Sequence, residues 1–493
     1  MSNIRVTYSG LFSFLFGIIS VLTGLFFTVI ITRSLSPIEF GSWGVIGTLV
    51  SYTLIMGSIV SYWSTREISR GEDSGGTGLL FNSLFSIFAI LVYFIIQFIF
   101  VEQIDPLLLI FGVILVPIEF IKLELTALMY GYKPQNIEFS LIIFEIIKII
   151  LALILVYYFE FGVIGAIIAT AVGSLISNIF LMIILKPIIS IKFKKQYVKK
   201  WIQLSWIVIF PKFSGFLTNL DVAIFTLMTG SPLGIAYWTA SKSVSGLISH
   251  SSKINKAIYP KLLGNGKEEI FNSNFRHVLY FGIPSFAFVL VFGKSGLFIL
   301  NPEYVIAFDI LFFMAPLFFM TLISNIFSQF LYGTEKVDID EKSRFKDYLK
   351  SNLIKIPFVN FVRKSIYLIA LISIIFLLKD SSELIDLINY WIILGILTEI
   401  PFILYLTLKI YLNYNFKVEL KPIFKYVIIT IITSVIVFTL LENFLTYQES
   451  IFEFILNLIP FFIIYLSLYL LFTYLIDNNT KKLLHSVIKE LKK

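Results

Sequence analysis

Ser36-Pro37-Ile38-Glu39-Phe40-Gly41-Ser42-Trp43 aligns without a gap on Ser231-Pro232-Leu233-Gly234-Ile235-Ala236-Tyr237-Trp238, matching Ser, Pro and Trp at an offset of 195. At that offset Gly71 falls on Gly266, and Met129-Tyr130-Gly131 is echoed by Leu331-Tyr332-Gly333 at an offset of 202. The first pair of echoes lies after the first apolar run of each half of the chain, and the second pair closes the fourth. Equivalent placement in the same orientation implies parallel repeats of six elements each.

Those elements are apolar runs long enough to cross a membrane. About 30 Å of hydrocarbon at 1.5 Å per residue needs roughly 20 residues. The runs are 8–32, 43–63, 79–100, 107–129, 139–158 and 163–185 in the first half. The second half offers 204–228, 234–259, 278–298, 306–331, 357–378 and 387–408, and 423–441 and 452–476 follow. The reading is an all-α integral membrane protein of about fourteen transmembrane helices, arranged as two parallel six-helix lobes plus two C-terminal helices. The expected divisions are 1–200, 201–412 and 413–493.

Composition agrees. The chain is 58% hydrophobic and 14% charged with mean hydropathy +0.90, whereas about a quarter of a soluble domain is charged. Of its 39 Lys and Arg, 27 fall in the termini and even-numbered connections, 2 in the odd ones and 10 inside spans. That alternation follows the positive-inside rule and places both termini in the cytosol of a multi-pass cytoplasmic-membrane protein. The net charge of +8 is therefore topological and carries no nucleic-acid signal. Cysteine is absent and the three histidines are scattered, so no metal or cofactor site is expected. Gly264-Asn265-Gly266-Lys267 lacks the earlier glycine and the following Ser/Thr of a phosphate-binding loop.

Two six-helix halves, a Ser-Pro turn followed by an aromatic, a Tyr-Gly exit after the fourth helix and two trailing helices resemble the multidrug/oligosaccharidyl-lipid/polysaccharide exporter superfamily. Within it, the lysine-rich connection 186–200, the stretch Arg33-Ser34-Leu35-Ser36-Pro37-Ile38-Glu39-Phe40-Gly41 and Tyr237-Trp238-Thr239-Ala240 are most similar to Wzx-type polysaccharide flippases. The connection 333–356 is a departure, being long and heavily charged. The resemblance implies two lobes facing a central cavity, alternating access, and a polyprenyl phosphate or pyrophosphate carrying a glycan as cargo. Membrane lipid and a coupling H+ or Na+ would be the other partners. A cation-coupled small-molecule exporter of the same superfamily is the alternative, and a membrane glycosyltransferase ranks third because the outer connections are short.

Ionisable groups inside spans cost about 2.5–3.5 kcal/mol each on insertion scales and so mark candidate sites. Lys242, Ser245, Ser249 and Lys253 recur at helical spacing and are expected to form one polar stripe lining a cavity. Lys212 and Asn219 on the seventh span join them as substrate-binding candidates. Asp221, Glu119 and Glu124 are candidates for binding the coupling ion. Glu119 with Lys122, and Glu145 with Lys148, are i, i+3 pairs; Lys122, Glu145 and Lys148 are read as structural ion-pair members.

Overall fold

In the computed structural model, residues 23–481 are described apart from 25, 70, 101, 134, 190–192, 204, 258–267, 336, 338–344, 415–419, 449 and 479. Among them the regular structure is entirely helical. Among the described residues eleven helices are long and apolar enough to span a membrane, and each overlaps one of the fourteen expected spans. The protein is an all-α, multi-pass membrane protein. Most of the first span lies outside the described residues, with 26–34 helical.

Helix α1 (Pro37–Ser69) starts at the Ser-Pro motif, where Ser36 and Glu39 form a capping box. The Ser36 N–H and Oγ–H both donate to Glu39 Oε2 at 2.9 Å, satisfying donors that a helix start leaves open. Helix α2 (Gly75–Gln97) shows why lipid is the solvent. Its buried face carries Asn82, Ser86, Ala89, Tyr93 and Gln97, whereas Leu84, Ile87, Leu91 and Ile95 face outward. This is the reverse of a water-soluble helix, and only hydrocarbon surroundings make it favourable.

The fourth span is two helices, α3 (Pro106–Gly112) and α4 (Leu115–Tyr132). Asp105 caps α3 by accepting from the Leu107 N–H at 2.8 Å. Helix α5 (Gln135–Ala152) ends in a π-turn, Leu153–Tyr158, and α6 (Gly162–Leu185) follows. The basic connector contains a short amphipathic helix, α7 (Lys195–Gln203), before α8 (Ser205–Thr229) and α9 (Pro232–Ser245). Beyond lie α10 (Glu268–Leu300), α11 (Phe308–Gly333), α12 (Asn352–Leu378), α13 (Leu384–Asn413), α14 (Leu420–Phe444) and α15 (Ile451–Ile476).

The chain divides into two compact units. One comprises Met1–Thr239 and Glu335–Thr398. Within it the two copies of the repeat motif meet: a Cβ on Gly41 would sit 2.0 Å from the Pro232 carbonyl oxygen, so only glycine permits that approach. The other unit comprises Ala240–Thr334 and Glu399–Lys493. Its core joins α10, α14 and α15 through Phe292, Val437, Leu441, Phe454, Leu458 and Tyr465. Pro284 inside α10 has no N–H to give the Tyr280 carbonyl four residues earlier. The Tyr469 hydroxyl takes over that role, donating to Tyr280 O at 2.6 Å, and Tyr465 donates to Pro284 O at 2.8 Å. The last helix is thus pinned where a proline opens the ladder of its neighbour.

Candidate functional site

The eighth span differs from the expected stripe. Helix α9 ends at Ser245, and Gly246–Ala257 continues as a 3-10 helix. A 3-10 helix turns about 120° per residue, so Ser249 and Lys253 do not extend the α-helical line from Lys242 and Ser245. The α-helical periodicity assumed across Gly246 is therefore corrected. Glycine and the Ser-His-Ser-Ser run at 249–252 have a local cause for the break, being poor helix-interior residues. Ser245 is fully buried, with its hydroxyl unpartnered among the described residues, while Lys242 and Ser249 are exposed. The side chains of Lys253 and Lys212 lie outside the described residues. Asn219 is exposed, and its backbone carbonyl accepts a hydrogen bond from the Tyr52 hydroxyl.

Asp221 is buried at the end of an aromatic relay. The Tyr367 hydroxyl donates to Asp221 Oδ2 at 2.8 Å, and the Trp391 indole N–H donates to Tyr367 at 2.5 Å. Trp391 is sandwiched between Trp238 and Phe225, each with ring centroids at 5.0 Å. Helix α12 begins at Asn352, five residues before the expected span, so Arg363 and Lys364 sit eleven and twelve residues inside it, just one turn before Tyr367. Lys364 is half-buried, lies over the Tyr367 ring at 5.2 Å and feels the Asp221 charge.

The paired carboxylates occupy a different region of the same unit. Glu145 Oε2 is 2.8 Å from Lys148 Nζ, and Glu119 Oε1 is 3.5 Å from Lys122 Nζ. Both lysines lie over the ring of Phe144, at 3.6 Å for Lys122 and 4.5 Å for Lys148, adding cation–π attraction. Ser174 on α6 bridges the second pair, donating to Glu119 Oε1 at 2.5 Å and accepting from Lys122 at 3.1 Å.

Glu124 is fully buried on another face of α4. Its Oε2 accepts from Ser61 Oγ–H at 2.9 Å and Asn82 Nδ2–H at 3.2 Å. Its Oε1 lies on the Gly78 side, next to Ser64 Oγ. Sequence reasoning named Glu124 but not Ser61, Ser64 or Asn82, whose only signal was polarity within an apolar run.

Two further features were not anticipated. Glu67 is buried, at 1% exposure, and binds Lys200 Nζ at 3.0 Å and the Trp201 indole N–H at 3.2 Å, fixing α7 to the end of α1. A cavity of about 680 Å³ near the start of α1 includes Glu39, Asp105 and Glu160 in its lining. Among the described residues no group of three His, Cys, Asp or Glu is disposed to hold a metal ion.

No family model and no curated protein matches the chain. Solved structures share its fold. A lipid II flippase MurJ in an inward closed conformation superposes with a TM-score of 0.62, covering 96% of this chain and 98% of its own at 14% identity. An inward-facing multidrug resistance MATE family transporter of the MOP superfamily gives 0.61, covering 80% of this chain and 94% of its own, also at 14% identity. A MOP superfamily transporter from Pyrococcus furiosus, described as having a binding pocket of reverse polarity that suggests a different function, gives 0.52 at 13% identity and covers 82% and 95%.

Proposed function

We propose that this protein is a flippase that carries a polyprenyl-phosphate- or pyrophosphate-linked oligosaccharide from the cytosolic to the outer leaflet of the cytoplasmic membrane by alternating access. The observation that carries the reading is the extent of the fold match. The lipid flippase is matched over 96% of this chain and the multidrug transporter over 80%, so the flippase fold accounts for more of the sequence. The charge inventory supports an anionic cargo. Beyond Lys122 and Lys148, which pair with Glu119 and Glu145, the chain carries Lys242, exposed on α9, and Arg363 and Lys364 within α12. A phosphate and its sugars each cost several kcal/mol or more to place in hydrocarbon, so cationic and hydroxyl-bearing walls must replace their water while the prenyl tail stays in lipid.

In this reading Lys212, Lys242 and Lys253 attract the phosphate, and Asn219, Ser245 and Ser249 bind sugar hydroxyls. Asp221, Glu119 and Glu124 are the carboxylates available to a coupling H+ or Na+. The test is reconstitution of the purified protein into liposomes holding a lipid-linked oligosaccharide, with an external glycosidase reporting what reaches the outer leaflet. Protein-dependent cleavage supports flipping, and its loss in a folded Lys242→Ala variant supports the cationic wall. No cleavage with any glycan or ion gradient, together with gradient-driven efflux of a cationic dye, would assign the chain to the small-molecule exporters instead.

A further inference from the structure

We propose that Glu124, enclosed by Ser61, Ser64, Asn82 and Gly78, is a proton-binding site whose carboxyl is neutral in this structure. Helix α4 packs against α1, α2, α5 and α6, and among the described residues no Lys or Arg on these helices forms an ion pair with Glu124. On α1, Glu67 is held by Lys200 and Trp201, and Arg66 donates to Tyr62. On α4 itself, Lys122 and Glu119 are engaged with Ser174, and on α5 the Glu145 and Lys148 side chains pair with each other; Glu138 is the remaining charge there. Helices α2 and α6 carry no charged residue. A buried carboxylate facing only neutral dipoles has no counter-charge, so a proton is the neutralising partner within reach.

Hydrogen-bond geometry favours the same answer. Oε2 receives two donors, as the carbonyl oxygen of a carboxylic acid does. Ser64 Oγ lies on the Oε1 side, next to Gly78, so a proton on Oε1 has an acceptor to meet. A metal cation fits less well. A Cβ on Gly78 would come within 2.4 Å of Oε1 and 2.6 Å of Ser64 Oγ, so the space on that side is filled by backbone, and the Asn82 amide presents N–H groups to Oε2. A proton needs no such volume.

Ser61 and Asn82 tie α1 and α2 to α4 through this carboxyl, and a proton on it spares their common core an uncompensated charge. Losing the proton leaves a bare charge in their common core and favours an arrangement that admits water. Use of this proton to drive transport rests on the flippase reading, but proton occupancy does not.

Infrared difference spectroscopy on the purified protein tests occupancy without any cargo. The wild type should show the carbonyl stretch of a protonated buried carboxyl that is missing from Glu124→Gln and moved to higher frequency in Ser61→Ala, which removes a donor to Oε2. A spectrum unchanged by either substitution overturns the proposal. If Glu124→Gln does not fold, the Ser61→Ala shift alone decides. Sodium addition that removes the band in the wild type would also overturn it, in favour of a metal site. In liposomes, Glu124→Gln should abolish the dependence of transport on an imposed pH gradient; a wild type that shows the band yet moves no lipid-linked glycan would overturn the flippase reading and leave the proton site standing.

Discussion

Helix α4 presents two glutamates five residues apart to two different environments. Glu119 faces α6, where Lys122 and Ser174 complete a charge-balanced cluster on the Phe144 ring. Glu124 faces α1 and α2, where hydroxyls and an amide are its company. One carboxylate is balanced by a built-in cation; the other lacks one among the described residues, and under the proposal above a proton takes that role. A membrane interior makes the difference consequential, because water is not there to screen either charge.

Breaking a built-in pair should have the largest effect. Lys148→Met strands the Glu145 carboxylate, and a loss of about 3–5 kcal/mol is expected, read as a lowered unfolding midpoint in mixed micelles. A double Glu145→Gln/Lys148→Met variant should recover most of it; if it does not, the pair was not the reason. Gly78→Ala comes next, since its new Cβ meets Glu124 Oε1 at 2.4 Å and must displace it, costing about 1–3 kcal/mol by the same measurement. Ser61→Ala removes one hydrogen bond and should cost about 1 kcal/mol. Glu124→Gln should change stability least, by under about 1 kcal/mol, because an amide mimics a neutral acid. A loss of about 1.5–3 kcal/mol there would instead indicate an ionised carboxylate with charge-assisted hydrogen bonds, erasing the contrast between the two faces.

How much was legible in the sequence depended on how far apart the partners are. Glu119–Lys122 and Glu145–Lys148 are separated by three residues, and helix geometry alone puts each pair on one face. The partners of Asp221 and Glu124 could not be read. Tyr367 lies 146 residues from Asp221, and Ser61 lies 63 from Glu124, with no spacing rule linking them. The polar stripe on the eighth span failed for a different reason. It extrapolated one periodicity through Gly246, and the backbone changed its pitch there. Conversely, the Ser-Pro motif meant more than a boundary, for its two copies turn out to pack on each other at Gly41 and Pro232.

Sequence by itself determined the solvent and the helical class, since hydrocarbon thickness and the need to satisfy every backbone hydrogen bond leave few choices to a chain this apolar. Tertiary structure alone decided which buried charges are balanced. Neutralisation is a matter of a few ångströms between side chains on different helices, and a linear pattern holds no record of that distance.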